Sequence, residues 1–218
     1  MQDAESSTYH HGDLRTSLIS LAHARVRDDG PEAVSLRDLS RIAGVSHAAA
    51  YRHFPTREAL LDTVAMQGFH ELTAVCKEAC SQPGDSSLCQ LLACGLAYVQ
   101  FGRRNARLLG LMFDEAGQWL KKEDAKNPRS RAAAELFAVL LGIVQFGQAR
   151  SEIVVQEPKI VAWTCWAMVH GCASLAPADS KSLKPAERVV IEERIVWSIQ
   201  TCIRGLQADF HASNLSKK

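Results

Sequence analysis

With 218 residues, 47% of them hydrophobic, the chain can bury a sizeable core as one large domain or a small and a medium one, which excludes general disorder. A net charge of +1 excludes any argument for nucleic-acid binding from overall basicity, so such a case must rest on local pattern. The polar, acidic start "MQDAESSTYHHGD" is no signal peptide, so a cytoplasmic location is expected, with the seven cysteines as small buried hydrophobes and not disulfides.

Taken in order, the elements are all helical. No run alternates β-branched residues, and the one Asp-Gly, at Asp29, is followed by proline. Leu14, Leu18, Leu21, Ala22 and Arg25 follow helical spacing until "DDGP" stops the helix. Ser35 caps a second helix, with Asp38 completing a short capping box and Leu36, Leu39, Ile42 and Ala43 as its inner face. That helix ends at Gly44, which adopts positive φ at low cost. Ser46 caps a third helix that closes at Phe54, because a residue before proline is pushed away from helical angles. Thr56 caps a fourth running from Arg57 towards Cys80. Past the loop "SQPGDSS", helical patterns cover 88–104, 106–119, 131–150, 158–176 and 185–206, separated by polar or proline-bearing breaks.

The second and third helices, joined at Gly44 and preceded by another, form a helix-turn-helix. This accounts for "SHAAAYRH". A helix lying in the major groove cannot be bulky everywhere, so Ala48 and Ala49 permit close approach and can touch a thymine methyl, while Ala50 faces the second helix. His47, Tyr51 and His53 can then reach base edges or phosphates. Residues 1–60 hold seven arginines against eight acidic residues, so attraction must come from local placement, helix dipoles and histidines.

"GVSHAAAYRHFPTREALL" resembles the signature of the TetR family of bacterial one-component regulators, through Ser46, Tyr51, His53, Phe54, Arg57, Glu58, Leu60 and Leu61. "VSLRDLSRIAG" is similar to the family's first motif helix. The resemblance covers roughly residues 10–65. It implies an all-α fold with a helix-turn-helix DNA-binding domain at 1–65 and a helical ligand-binding and dimerisation domain at 66–218. It also implies that Ser35, Tyr51 and Arg57 meet phosphates, Arg37 and His47 to Ala49 read bases, and His53 serves either role. The implied partners are double-stranded operator DNA, a small effector and a second copy of the chain.

The later helices carry weaker signals. Ile160 to Ala178 contains no Asp, Glu, Lys or Arg and approaches membrane-spanning length, but Thr164, His170, Ser174 and amphipathic neighbours favour a core helix and no membrane. Within it, "WAMVHG" is similar to a Trp-x-x-x-His-Gly signature of one C-terminal subgroup of the family. Ala167 and Gly171 form a small-residue face for close helix approach. Ile191, Ile195, Ile199 and Cys202 form an apolar stripe on the last helix, which the resemblance assigns to a two-fold interface. A pocket walled by Met112, Phe113, Trp119, Phe137, Leu140, Phe146, Trp166 and His170 is expected. With no Lys or Arg in 108–113 or 136–148, it favours a neutral or apolar effector.

Other functions are weighed on the same residues. Cys76 and Cys80 with His70 upstream share a face, but no CxxC or HxxxH completes a metal site, and no metal or cofactor is expected. An enzyme using a Cys or His would need a nucleophile elbow, phosphate loop or carboxylate constellation, none of which occurs. A DNA-bound regulator or architectural module without a small ligand is the remaining alternative.

Overall fold

The computed structural model describes residues 11–81, 86–113, 127–176 and 183–208. Among the described residues the fold is all-α: α1 (His11–Asp29), a 3-10 turn (Pro31–Ala33), α2 (Leu36–Ile42), α3 (His47–His53), α4 (Arg57–Ala79), α5 (Ser87–Arg104), α6 (Ala106–Phe113), α7 (Pro128–Ala149), α8 (Pro158–Leu175) and α9 (Pro185–Leu206).

The boundaries follow from local chemistry. α1 buries Leu14, Leu18, Ala22 and Val26 at successive turns and stops at Gly30, whose φ of 98° is left-handed. Side-chain oxygens of Ser35, Ser46 and Thr56 accept from Asp38, Ala49 and Ala59 backbone N–H groups, satisfying donors that a helix start leaves orphaned. The Asp38 carboxylate does not complete a capping box; it faces Arg41 at 3.5 Å. Proline opens each of α7, α8 and α9, where a missing N–H costs nothing. At α8 the Glu157 carboxylate accepts from Ile160 N–H at 2.8 Å, and at α9 Glu187 accepts from Lys184 N–H at 2.8 Å.

One expectation for α2 fails. Leu36, Leu39 and Ser40 face the core, whereas Ile42, the last residue of α2 before the chain turns at Ala43 and Gly44, is 54% exposed.

α4 is the spine. It packs on α1, is tied to the 3-10 turn through Arg57, and runs against α5, α6 and α7, so the boundary expected at residue 65 falls inside one continuous helix. α5 is covered by α7, α8 and α9, and α8 lies against α7 and α9. Gly95 on α5 lets both α8 and α9 come close: a Cβ there would sit 3.2 Å from Val169 and 3.4 Å from Ile199. Among the described residues one helix, α7, is long and apolar enough to cross a membrane, and it is not the stretch that the sequence pattern singled out. It packs against α4, α5 and α8.

Candidate DNA-reading head and effector cavity

The head is built on the turn between α2 and α3. Gly44 has φ 69°, and no atom lies within 4 Å of where its Cβ would be, so backbone conformation and not crowding demands glycine here. Val45 N–H donates to the Ser40 carbonyl, and the Ser40 hydroxyl donates to the Leu36 carbonyl at 2.6 Å, tying the turn to α2. Ala50 is wholly buried, and Phe54 is buried beneath the Arg15 guanidinium, 5.1 Å above its ring. The opposite side of α3, carrying His47, Ala48, Tyr51 and Arg52, is exposed. Ala49 and His53 are half-buried at its edges. Ser46 and Arg37 are exposed and Ser35 half-buried.

Arg57 departs from its expected role. Its Nε donates to the Val34 carbonyl at 2.9 Å and its Nη2 to the Pro31 carbonyl, so the guanidinium turns inward onto the 3-10 turn. Its Nη1 faces Glu58 at 3.7 Å. Two of its three nitrogens therefore hold the head together, which no linear pattern reveals because the acceptors lie more than twenty residues upstream.

In the body, α4, α5, α6, α7, α8 and α9 enclose a narrow cavity of about 40 Å³ with no charged side chain in its wall. Phe113, Phe137, Leu140 and Trp166 line it; so do Cys76, Cys94, Tyr98, Met168, Val169, Ile199 and Ile203, which the sequence pattern missed. Met112 is fully buried elsewhere, against Gly68, and Phe146 is 45% exposed beneath Arg150. Trp119 lies outside the described residues. His170 stands behind the wall: the Tyr98 hydroxyl meets its Nδ1 at 2.8 Å, Trp166 stacks on its ring at 5.2 Å, and Phe113 meets it edge-on at 4.6 Å. Burial lowers the His170 pKa, favouring the neutral imidazole, whose unprotonated nitrogen can accept from Tyr98. Among the described residues, no group of three or more His, Cys, Asp or Glu side chains could hold a metal ion.

Against this geometry, residues 18–64 match the family profile described as bacterial regulatory proteins, tetR family, and residues 91–198 match the tetracyclin repressor-like C-terminal domain. A solved structure of a protein with unknown function from Rhodococcus sp. RHA1 is 32% identical, covering 93% of this chain and 100% of its own with a TM-score of 0.77. The chain belongs to the TetR family. Two further structures share the fold. One is a TetR/AcrR family regulator from Thermobifida fusca YX-ER1, at 18% identity over 88% of this chain and 98% of its own, with a TM-score of 0.66. The other is PfmR, a TetR family transcriptional regulator from Thermus thermophilus, at 19% identity over 87% and 98% with a TM-score of 0.62. Among curated proteins, none matches the sequence.

This TetR-family chain is therefore a DNA-binding transcriptional regulator, of a family whose members bind operator DNA and form dimers. Its last two helices are arranged differently from the expected stripe. Ile199 is 1% exposed, Ile195 is buried, and Cys202 lines the cavity, so these residues pack within one protomer. The uncovered apolar side chains are Ile160, Trp163 and Leu175 on α8, with Val189, Val190 and Trp197 on α9; Trp197 is 66% exposed. α8 is thus not buried all round. Between α8 and α9 an open groove of about 410 Å³ is lined by Ala167, Gly171, Leu175, Ile191 and Arg194 among others. A Cβ on Gly171 would meet nothing within 4 Å, so its small size serves no packing inside the protomer.

Proposed function

We propose that this regulator is a cytoplasmic, homodimeric repressor, released from a palindromic operator when a small neutral or apolar effector enters the cavity. The observation that carries this reading is the continuity of α4: it packs on α1 and is tied to the 3-10 turn through Arg57, and its middle supplies Phe69 and Cys76 to the cavity wall. A void of about 40 Å³ is far below the roughly 300–1,000 Å³ of ligand pockets, so binding must push the wall outward. The push reaches α4 directly. It also reaches α6, whose Phe113 lines the cavity and whose Arg107 donates to the Asp28 carbonyl at the end of α1. Effector binding therefore favours one arrangement of the heads over another, which is the differential affinity that an allosteric shift requires.

On the DNA side, His47, Ala48 and Ala49 enter the major groove, Ser35, Tyr51 and His53 approach phosphates or base edges, and Arg37 reads a base. Arg52, exposed beside Tyr51, adds a cation on the same face. The dimer forms through the outer faces of α8 and α9, with Trp163, Ala167, Gly171 and Trp197 at its centre. Two heads held by such an interface read half-sites about 34 Å apart.

The test is an operator obtained by binding-site selection, titrated with protein in the presence of small molecules that raise its thermal midpoint. A ligand that binds the folded state must raise that midpoint, and this reading requires it to weaken operator binding as well. Ligands that stabilise the protein yet leave operator affinity unchanged would support a regulator without effector release.

A further inference from the structure

The cavity has two unlike ends. At one, Phe69 meets Phe113 edge-on at 5.2 Å, Phe113 meets the His170 ring at 4.6 Å, and the Tyr98 hydroxyl lies 2.8 Å from His170 Nδ1. Cys76 and Leu91 line the wall two turns away from Phe69 and Tyr98 on α4 and α5, which sets the other end about 10 Å along the helices. These two segments share that end, because the Cys80 thiol donates to the Gln90 carbonyl at 3.7 Å. Ile203 joins them: Glu152 accepts from Ser87 N–H at the start of α5, and Val154 N–H donates to the Leu206 carbonyl at the end of α9. The cavity is therefore a slot along the bundle, walled by rings at one end and by aliphatic and sulfur groups at the other.

Among the described residues that line the slot, only Tyr98 and Trp166 carry a side-chain nitrogen or oxygen, and both stand at the ring-walled end. Burial pushes the Tyr98 hydroxyl above its ordinary range and lowers His170, so both groups are uncharged at neutral pH. With the neutral imidazole accepting at Nδ1, the Tyr98 hydrogen is committed to His170, and its oxygen is left as an acceptor. A carboxylate entering the slot would lose its hydration and find no cation in the wall. Resting on the reading of this cavity as the effector site, we infer that the effector is a neutral alkylphenol. Its ring packs among Phe69, Phe113 and Trp166, its hydroxyl donates to the Tyr98 oxygen, and its tail runs down the slot towards Leu91 and Ile203. The ring thereby bears on α4 and α6, both of which pack on α1.

The experiment titrates the full chain calorimetrically with 4-propylphenol, propylbenzene, 4-propylanisole and 4-propylbenzoate, and repeats the set with Tyr98→Phe, using circular dichroism melting to show that the variant folds. The native chain should bind 4-propylphenol and not 4-propylbenzoate. Affinity should rise roughly fourfold per methylene from 4-methylphenol to 4-propylphenol as the tail fills the slot. Tyr98→Phe should weaken 4-propylphenol roughly tenfold and change propylbenzene and 4-propylanisole, which donate no hydrogen bond, by less than about twofold. Should Tyr98→Phe not fold, the native series decides alone, the phenol having to bind more tightly than its methyl ether. No binding of 4-propylphenol, no gain with tail length, binding of the benzoate, or equal losses for phenol, ether and hydrocarbon in Tyr98→Phe would overturn the proposal. Tyr98-dependent binding of 4-propylphenol with unchanged operator affinity would overturn the effector-site reading and the regulatory role with it. Operator release by a ligand that lacks a hydroxyl and is indifferent to Tyr98→Phe would overturn the alkylphenol assignment alone.

Discussion

The head and the body solve the burial problem differently. In the head, α1 to α3 and the start of α4 close a core of Leu14, Leu18, Leu39, Ala50, Phe54 and Leu60, leaving mainly polar or small side chains outside. In the body, α8 and α9 have two apolar faces: one closes the cavity through Cys165, Val169 and Ile199, and the other leaves Trp163 and Trp197 in solvent. A helix with apolar side chains on both faces needs cover on both. The head covers its apolar side chains within one chain, whereas the body keeps an uncovered apolar face, the one proposed above to meet a second copy.

Charging each face of α9 tests that contrast most sharply. Ile199→Arg places an unpaired charge against Gly95 and Val169, and breaking burial in this way costs on the order of 3–5 kcal/mol, enough to unfold the body; loss of the cooperative thermal transition is the expected result. Trp197→Arg, two residues away on the exposed face, should leave helicity and melting nearly unchanged but convert the dimer to a monomer in sedimentation. Operator affinity would then fall by roughly 10²- to 10⁴-fold as two linked heads become separate ones. A dimeric Trp197→Arg protein with normal operator binding would mean that the second face is covered by something else.

Smaller effects separate holding from reading within the head. Arg57→Ala removes two hydrogen bonds to the Val34 and Pro31 carbonyls and should cost about 1–3 kcal/mol of stability, read by urea denaturation. The salt dependence of DNA binding should change little, since a single lost phosphate contact would lower that slope by about 0.9. His47→Ala should do the reverse. Stability stays the same, while discrimination at particular base pairs drops by roughly 1–3 kcal/mol in a binding-site selection if its base contact is direct.

The smallest effect concerns how the body is tied together. Glu152 accepts from the Ser87 hydroxyl and N–H at 2.6 and 2.7 Å and pairs with Arg150. These contacts pull its pKa from 4.5 down to about 2, with the Ser87 hydroxyl the largest cause. A depressed carboxylate contributes stability that is fully present above the unfolded value, so this contribution should fade as the pH falls from 4.5 towards 2. Urea unfolding across that range should show Glu152→Gln lacking this one component of the wild-type loss.

What the sequence determined by itself is local. Caps at Ser35, Ser46 and Thr56, the positive φ of Gly44 and the proline starts of α8 and α9 each act within about four residues, so linear order suffices to place those helix ends and the helix-turn-helix, whereas α7 begins at Pro128, ahead of the expected 131. Tertiary structure decided what lies beyond that range. Periodicity marks both faces of α9 as apolar but cannot say that Ile199 points inward and Trp197 outward, because the choice depends on α5 lying against one side. Nor can it anticipate that Arg57 turns to carbonyls of the 3-10 turn, or that cysteines from four helices meet around one cavity. Those outcomes are set by packing between segments distant in the chain, where each side chain takes the position that leaves the fewest polar groups unpaired and the least apolar surface uncovered.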